Sequence, residues 1–186
     1  MDLRIESYQL NDEATAADRE RCRALLSDAD PSRANVDDYL KRGELYVARP
    51  AGVAQRSESR APARDSSSAT DPGADADRSD IVGLYLNLRT RPLTIEIMNV
   101  AVTLDLQGRG IGKQLVAHAI ATAKGQGAKA IEIGTGNSGV GQLALYQKAG
   151  FRIVGIDFDY FTRFFTEPLY ENGIQVRDMI RLAQDL

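Results

Sequence analysis

Residues 96–112 constrain the fold of this chain most, because they change from a strand pattern to a helix pattern across a glycine-rich turn. Apolar, β-favouring residues recur up to Val102, and a helical spacing of apolar residues runs from Ile111 to about Ala123. The first turn of a helix leaves backbone N–H groups unpaired at the positive end of the helix dipole. Glycine lets such a backbone approach an anion closely. The sequence therefore predicts a strand–turn–helix unit that binds phosphate.

Two common phosphate-binding patterns fit this turn incompletely. A Walker loop needs Ser or Thr after its lysine, whereas Gln114 follows Lys113. A dinucleotide pattern that starts at Gly108 needs glycine or alanine where Lys113 stands. Glu132 lies near the position of the acidic residue in that pattern, so spacing alone does not decide the matter. A protein that binds ATP or NAD through this turn remains an alternative.

The composition indicates a globular chain without a broad nucleic-acid surface. Its 186 residues suggest one domain, and the net charge of −3 disfavours a nucleic-acid partner. The single cysteine, Cys22, forms no internal disulfide, which is compatible with a reducing compartment. The first residues lack the pattern of a secretory signal, and no apolar run approaches the roughly 18 residues of a membrane span. We therefore expect a cytoplasmic protein with no membrane partner.

A change of composition between residues 51 and 80 indicates an insertion. This segment contains no Ile, Leu, Met, Phe or Tyr and is rich in Ala, Ser, Asp and Arg. It cannot bury enough apolar area to offset the entropy lost on ordering. We therefore expect a single domain over residues 1–186 with a flexible insertion at about 54–79, between two paired strands of one sheet.

The rest of the chain reads as strands and helices. Helices are expected at 11–28, at 36–41, after the glycine turn, and at 140–149. Strands are expected at 4–9, 44–49, 81–89, 94–102, 130–134, 151–156 and 175–182. Aromatic residues concentrate in 157–171.

Two motifs, in this order along the chain, resemble those of a known family. Gln107, Gly110 and Gly112 form Gln-x-x-Gly-x-Gly, which resembles the acyl-CoA pyrophosphate loop of the GNAT (Gcn5-related) N-acetyltransferases. Residues 145–151 resemble the Leu-Tyr-x-x-x-Gly-Phe segment of the same family. The likeness runs from residue 4 to about 182 apart from the insertion, and the C-terminal residues 170–180 resemble a bacterial subgroup.

The resemblance implies the acyl-CoA N-acyltransferase fold. This is an α/β fold with a mixed, mostly antiparallel sheet of six to seven strands, helices on both faces and a central parallel splay. The two splayed strands would be residues 94–102 and 130–134. A bulge near residues 99–101 would free backbone groups for the pantetheine amides of the cosubstrate, because a missing ladder bond needs another partner.

The implied reaction is direct transfer of acetyl from acetyl-CoA, as cosubstrate, to an amine of a small molecule or protein. Tyr146 matches the family tyrosine that protonates the leaving thiolate, and the alternative is a tyrosine packed in the core. Glu96 is the candidate base, directly or through a water, unless ordered water alone does this work or Glu96 simply faces solvent. A non-catalytic acyl-CoA-binding or sensor module is the alternative function. The resemblance is also compatible with a homodimer.

The resemblance also implies which residues bind the cosubstrate. Backbone groups of the central strand would bind the pantetheine and the oxyanion, and the glycine turn would bind the pyrophosphate. Asn137 or Ser138 would contact the pantetheine or adenosine side, although the turn that holds them is longer than in the commonest family pattern. The full predicted set is Val100, Ala101, Val102, Gln107, Gly108, Arg109, Gly110, Ile111, Gly112, Lys113, Asn137 and Tyr146.

The amine acceptor is expected to bind between residues 26–41 and residues 157–173. Four carboxylates there would attract a cation: Asp157, Asp159, Glu167 and Glu171. His118 is the only histidine and lies in the predicted helix after the glycine turn, with no cysteine or carboxylate cluster at ligand spacing. We therefore expect no metal.

Overall fold

The computed structural model describes residues 1–11, 14–30, 32–52, 79–165 and 167–186. The predicted insertion at about 54–79 lies outside the described residues apart from Ser79. The strands are β1 (Leu3–Tyr8), β2 (Glu44–Pro50), β3 (Gly83–Arg91), β4 (Thr94–Val102), β5 (Ala130–Gly136), β6 (Arg152–Asp157), β7 (Leu169–Glu171), β8 (Ile174–Val176) and β9 (Met179–Asp185). The helices are α1 (Ala16–Ala29), α2 (Arg33–Arg42), α3 (Ile111–Gly125), α4 (Val140–Lys148) and α5 (Tyr160–Phe164).

Seven of these strands form one sheet in the order β1-β2-β3-β4-β5-β9-β6. All neighbouring strands are antiparallel except β4 and β5, which are parallel. β2 pairs directly with β3, so the strands on either side of the predicted insertion are neighbours. The predicted mixed, mostly antiparallel sheet with one central parallel pair is therefore confirmed.

Helices cover both faces of the sheet and bury two clusters of apolar side chains. On one face α1 and α2 contribute Cys22, Leu26 and Tyr39 to a cluster with β2, β3 and β4. On the other face Leu115 of α3 and Tyr146 of α4 pack with the opposite side of the strands. Full burial of such side chains contributes about 2 kcal/mol each. The sheet is thus held between two layers, and functional groups can reach its centre from either side.

Side-chain caps set the starts of the first two helices. The Thr15 hydroxyl accepts a hydrogen bond from Asp18 N–H at 3.1 Å, so α1 begins at Ala16 rather than near residue 11. The Ser32 hydroxyl accepts one from Asn35 N–H at 3.3 Å, so α2 begins at Arg33, before the predicted residue 36. The capping residues carried this information in the sequence.

The two central strands separate, as expected for a splay. The parallel pairing of β4 and β5 ends at Ile97 and Ile133, beyond which β4 pairs only with β3 and β5 only with β9. Ile97 and Asn99 pair with consecutive residues of β3, so the extra residue is Met98. The bulge therefore lies at Met98, one residue before the predicted range of 99–101. Residues 99–101 pair with β3 on one side, and their other edge, which faces β5, has no strand partner.

The predicted closing strand at 175–182 is present as β9 (Met179–Asp185), but it begins four residues later than predicted. The chain forms β8 (Ile174–Val176), which pairs with β7 as a separate hairpin, and then breaks before β9. The break has a physical cause, because the Arg177 and Asp178 N–H groups donate to the side chain of Asn137 instead of to a strand. None of the helices that the structure describes has the length and apolar character to cross a membrane.

Candidate active site

The glycine turn presents a row of free backbone amides. Gly108 and Gly110 adopt positive φ angles of 73° and 81°, a region that other residues enter at a cost. The first bond within α3 runs from Gln114 N–H to Gly110 C=O at 3.2 Å. The N–H groups of Ile111, Gly112 and Lys113 therefore donate to no acceptor within the described residues. Such a row of amides at a helix start fits a diphosphate.

Side chains around the turn agree with this fit. Gln107 Nε2 donates to Val102 C=O at 3.1 Å and ties the turn to the end of β4. Arg109 and Lys113 are exposed and form no ion pair with the part of the chain that the structure describes. Their charges are therefore available to an anion held by the amides. The turn provides a match for the phosphates of CoA in both geometry and charge.

A cavity of about 500 Å³ opens between the separated ends of β4 and β5, next to this turn. Val100, Ala101 and Val102 line it on the β4 side, and residues 133–136 line it on the β5 side. Gln107 lies at the end that meets the glycine turn. The gap is where the open edge of β4 offers backbone groups without a strand partner, which suits the amide groups of a pantetheine arm.

Tyr146 enters this cavity from α4. The residue is only 6% exposed, and its ring packs edge-on against Phe151 with 6.2 Å between centroids. Its hydroxyl makes no hydrogen bond to the described residues. Burial, together with the charge of Glu171, raises the pKa of the Tyr146 hydroxyl to about 12. The phenol is therefore neutral at physiological pH and able to donate a proton.

Glu96 lies in a second cavity of about 310 Å³ that adjoins the first. The two cavities share lining residues, including Ile97, Met98 and Gly134. The Glu96 side chain is 18% exposed, and its Oε1 lies 3.4 Å from Arg181 Nη1. Burial raises the pKa of Glu96 above its ordinary value, and the nearby Arg181 cation opposes this shift. Glu96 is directed to the α1 and α2 side of the sheet, whereas Tyr146 comes from the other side.

The walls of both cavities carry mainly negative charge. Asp30 at the end of α1 lines both cavities, and burial raises its pKa. Arg181 is the only cationic side chain among the described residues that line either cavity. Its guanidinium lies over the ring of Tyr160, 5.8 Å from the centroid. The predicted acceptor region at 26–41 and 157–173 thus supplies much of the described lining.

The four carboxylates expected to line the acceptor pocket have different environments. Glu171 lines the larger cavity. Asp157 pairs with Arg163 at 2.5 Å and Arg181 at 3.5 Å, beside the cavities. Asp159 pairs with Arg177 at 2.5 Å, and Glu167 borders a separate small depression. Asp30 and Arg181, which also line the cavities, are not part of any sequence motif. An arginine between apolar residues of the predicted last strand was the available signal for Arg181.

The side chain of Asn137 forms hydrogen bonds within the protein. Its side-chain Oδ1 accepts hydrogen bonds from two backbone N–H groups, and its Nδ2 donates to Gln175 C=O at 3.0 Å. It does not line either cavity among the described contacts. The remaining cosubstrate residues of the predicted set surround the cavity and the turn, and their roles remain predictions.

The described residues contain no group of His, Cys, Asp and Glu arranged to hold a metal ion. His118 Nδ1 lies 2.8 Å from the Tyr85 hydroxyl in the packing of α3 against the sheet, and burial lowers its pKa. The sole cysteine, Cys22, is fully buried, and burial raises its pKa to about 12. It therefore offers no thiolate to the cavities.

Comparisons with known proteins agree with the geometry. A model described as the acetyltransferase (GNAT) family matches residues 50–151, which include the glycine turn and Tyr146. The chain is 49% identical over 162 residues to "Uncharacterized N-acetyltransferase YvbK" of Bacillus subtilis, with 87% of each chain covered. A Bacillus subtilis acetyltransferase solved in complex with CoA is 44% identical, with a TM-score of 0.78 and coverage of 100% of this chain and 99% of that one. A GNAT family acetyltransferase from Elizabethkingia anophelis with acetyl-CoA bound is 35% identical, with a TM-score of 0.76 and coverage of 99% and 98%.

Proposed function

Because the chain belongs to the GNAT acetyltransferase family, we propose that Tyr146 and Glu96 act as the acid and the base when acetyl passes from acetyl-CoA to an amine. Acetyl-CoA, the cosubstrate, supplies the acetyl group as a thioester. The observation that carries the proposal is the position of Tyr146 and Glu96 in two adjoining cavities that meet at the splay of β4 and β5. The remaining steps follow from what each residue can do there.

The glycine turn holds the cosubstrate in this proposal. The amides of Ile111, Gly112 and Lys113 donate to the diphosphate, and Arg109 adds charge. Val100, Ala101 and Val102 offer backbone groups to the pantetheine amides along the open edge of β4. One backbone N–H in this stretch also faces the thioester carbonyl and stabilises the oxyanion that develops on its oxygen.

Tyr146 protonates the departing sulfur. A thiolate leaves more easily when it receives a proton, and proton transfer by a positioned side chain contributes about 10²–10⁴-fold to rate. With a pKa of about 12 the phenol carries its proton at neutral pH. Its free hydroxyl has no competing protein partner among the described residues, so it is available to the substrate.

Glu96 receives the proton from the amine, directly or through one water. An alkylamine has a pKa of about 10.4 and must lose its proton before it attacks. A carboxylate with a raised pKa is a stronger base than an ordinary one, and burial raises the pKa of Glu96. Glu96 lines the smaller cavity, on the side of the sheet opposite to the one from which the cosubstrate approaches. An acceptor would enter from the side of Glu96.

The acceptor is a positively charged amine of a small molecule or a peptide. Asp30, Glu96 and Glu171 face the cavities, and among the described lining residues only Arg181 carries a positive charge. The ring of Tyr160 adds an aromatic surface of the kind that contacts ammonium groups. This lining favours amines over neutral or anionic acceptors.

The test measures release of free CoA thiol from acetyl-CoA with a panel of amines, namely spermidine, benzylamine and a lysine-containing peptide. We expect Tyr146→Phe to reduce kcat about 100-fold with the best amine. Tyr85→Phe is the matched control, because Tyr85 is equally buried and lies in the packing of α3, away from the cavities. It should keep kcat while losing some stability.

Two results would count against this proposal. Equal kcat values for the Tyr146→Phe and Tyr85→Phe variants would remove the acid role of Tyr146. An absence of thiol release with every amine, together with intact CoA binding, would indicate a non-catalytic acyl-CoA-binding module instead.

A further inference from the structure

Asn137 joins two parts of the chain that are distant in sequence. It lies in the turn between β5 and α4, directly before the helix that carries Tyr146. Its backbone N–H donates to Asp178 C=O at 2.9 Å. Its Oδ1 accepts from Arg177 N–H at 2.8 Å and Asp178 N–H at 3.0 Å, and its Nδ2 donates to Gln175 C=O at 3.0 Å. Asn137 thus makes four hydrogen bonds to this part of the chain, three to the connection between β8 and β9 and one to Gln175 within β8.

This connection belongs to the segment that forms one side of the cavities. We call residues 157–165 and 167–178 the acceptor wall, because its inner side chains line the cavities opposite β4. They are Tyr160, Phe161, Phe165, Leu169, Glu171 and Val176. Within the wall, Asp159 N–H donates to Asp178 Oδ1 at 2.8 Å and Phe161 N–H donates to Arg177 C=O at 3.0 Å. The residues that Asn137 binds therefore also hold the start of α5.

A second set of bonds fastens the wall beside Asn137. Ser138 is fully buried, and its hydroxyl donates to Glu171 Oε2 at 3.0 Å. Gln142 Nε2 donates to the other oxygen, Glu171 Oε1, at 3.1 Å. Asn172 Nδ2 donates to Ser138 C=O at 3.0 Å. The hairpin of β7 and β8 is therefore bound at both of its ends to the turn that precedes α4.

We propose that Asn137 is a positioning residue that fixes the acceptor wall to the turn before α4, and so sets the shape of the amine site relative to Tyr146. The proposal rests on the proposed function in placing the amine against this wall. It replaces the direct contact with the cosubstrate that the sequence predicts for Asn137. Contact with CoA would require Asn137 to give up bonds that define the break between β8 and β9.

The chemistry of the contact explains why an asparagine stands here. The site needs one oxygen that accepts two N–H groups and, on the same short side chain, one donor for a carbonyl. Aspartate keeps the acceptor but places a second carboxylate oxygen against Gln175 C=O, where Asn137 has a donor. Alanine removes all three side-chain bonds. The two variants should therefore weaken the wall to different extents.

The test compares Asn137→Ala and Asn137→Asp with the wild type. Thr162→Ala is the matched control, because the Thr162 hydroxyl bonds only to Asp159 within the acceptor wall and not to the turn. Amide hydrogen exchange reports opening of the wall, and calorimetry with CoA reports the cosubstrate site. Steady-state kinetics with spermidine as the probe amine separate the two KM values.

In Asn137→Ala we expect exchange of the Arg177 and Asp178 amides to accelerate about ten-fold or more, with the amides of β4 and β5 unchanged. Asn137→Asp should show a smaller acceleration, and Thr162→Ala none at these amides. The affinity for CoA and the KM for acetyl-CoA should stay within about two-fold of wild type. The KM for spermidine should rise about five-fold or more, which loss of stability alone would not produce.

Two outcomes would overturn the proposal. One is unchanged exchange at Arg177 and Asp178 in both Asn137 variants. The other is a CoA affinity reduced about ten-fold without faster exchange, which would make Asn137 a direct ligand of the cosubstrate. Exchange and calorimetry need no turnover, so a failure of the acid and base roles of Tyr146 and Glu96 would leave this test valid.

Discussion

At the scale of single residues, the reactivity of Glu96 depends on a balance of burial and charge. Burial raises its pKa, Arg181 lowers it, Glu132 on the adjacent strand raises it, and the more distant Arg91 lowers it. Glu132 lies opposite Glu96 in the parallel register and is itself paired with Arg91. A base must be deprotonated to act, so kcat/KM should rise as pH increases through the pKa of Glu96.

Replacing Arg181 therefore has a predictable sign. Arg181→Met removes the cation that favours the charged form of Glu96, so the pKa of Glu96 rises further. The acidic limb of the kcat/KM profile against pH should move to higher pH. Glu132→Gln is the matched comparison, because removal of a neighbouring negative charge should move the same limb to lower pH. If the acidic limb moved in the same direction in both variants, or moved in neither, the assignment of Glu96 as the base would be contradicted.

The sequence identified some of these residues but not the charges around them. Tyr146 and Glu96 could be named because they stand at fixed positions in or near motifs. Arg181 and Asp30 could not, because strand pairing and the end of α1 bring them to the cavities from distant parts of the chain. Asn137 could be named from the resemblance although its turn departs from the family spacing, but only the three-dimensional contacts reveal that its side-chain amide already forms hydrogen bonds within the protein.

At the scale of secondary-structure elements, the start of α3 is the part that the sequence predicted best. The strand, the glycine turn and the helix lie where the pattern placed them, with β4 at Thr94–Val102 and α3 beginning at Ile111. Errors occurred where tertiary contacts override local pattern. The closing strand begins at Met179 rather than at residue 175, because Asn137 accepts the N–H groups of Arg177 and Asp178. The bulge lies at Met98, directly before the predicted range, because the register with β3 sets its position.

The amides at this helix start can be tested by changing one glycine at each end of α3. Gly110 and Gly127 have similar positive φ angles of 81° and 74°, and a Cβ at either position would meet no atom within 4 Å. Alanine at either position should therefore lower the free energy of unfolding by about 1–2 kcal/mol through backbone strain. Only Gly110→Ala should also move the amides that grip the diphosphate, which we expect to weaken CoA binding about ten-fold.

Calorimetry with CoA and thermal unfolding of both variants give the two readouts. Equal losses of melting temperature with an affinity loss in Gly110→Ala alone would support the phosphate-binding role of the turn. Equal affinity losses in both variants would show that general destabilisation of α3, and not the turn, is responsible.

At the scale of the whole molecule, the proposed function has the sheet bring two substrates together from opposite sides. In this proposal the pantetheine arm passes between β4 and β5 from the side of the glycine turn, and the amine enters the cavity on the side of α1, α2 and the acceptor wall. This arrangement could be predicted from the family motifs, because they fix the order of the elements. The shape of the acceptor cavity could not, since it depends on contacts among segments without a shared motif.

The adjoining cavities imply that both substrates are bound when acetyl moves. No cysteine thiolate is available to carry the acetyl group, because Cys22 is buried and its pKa is raised to about 12. We therefore expect the amine to attack the thioester directly, without an acetylated enzyme between two half-reactions. This direct transfer is the central claim of the account.

Initial velocities over a grid of acetyl-CoA and spermidine concentrations test that claim most directly. Direct transfer predicts double-reciprocal lines that intersect, because both substrates must be present before CoA thiol is released. Parallel lines, together with an acetylated enzyme formed from acetyl-CoA when the amine is absent, would contradict it.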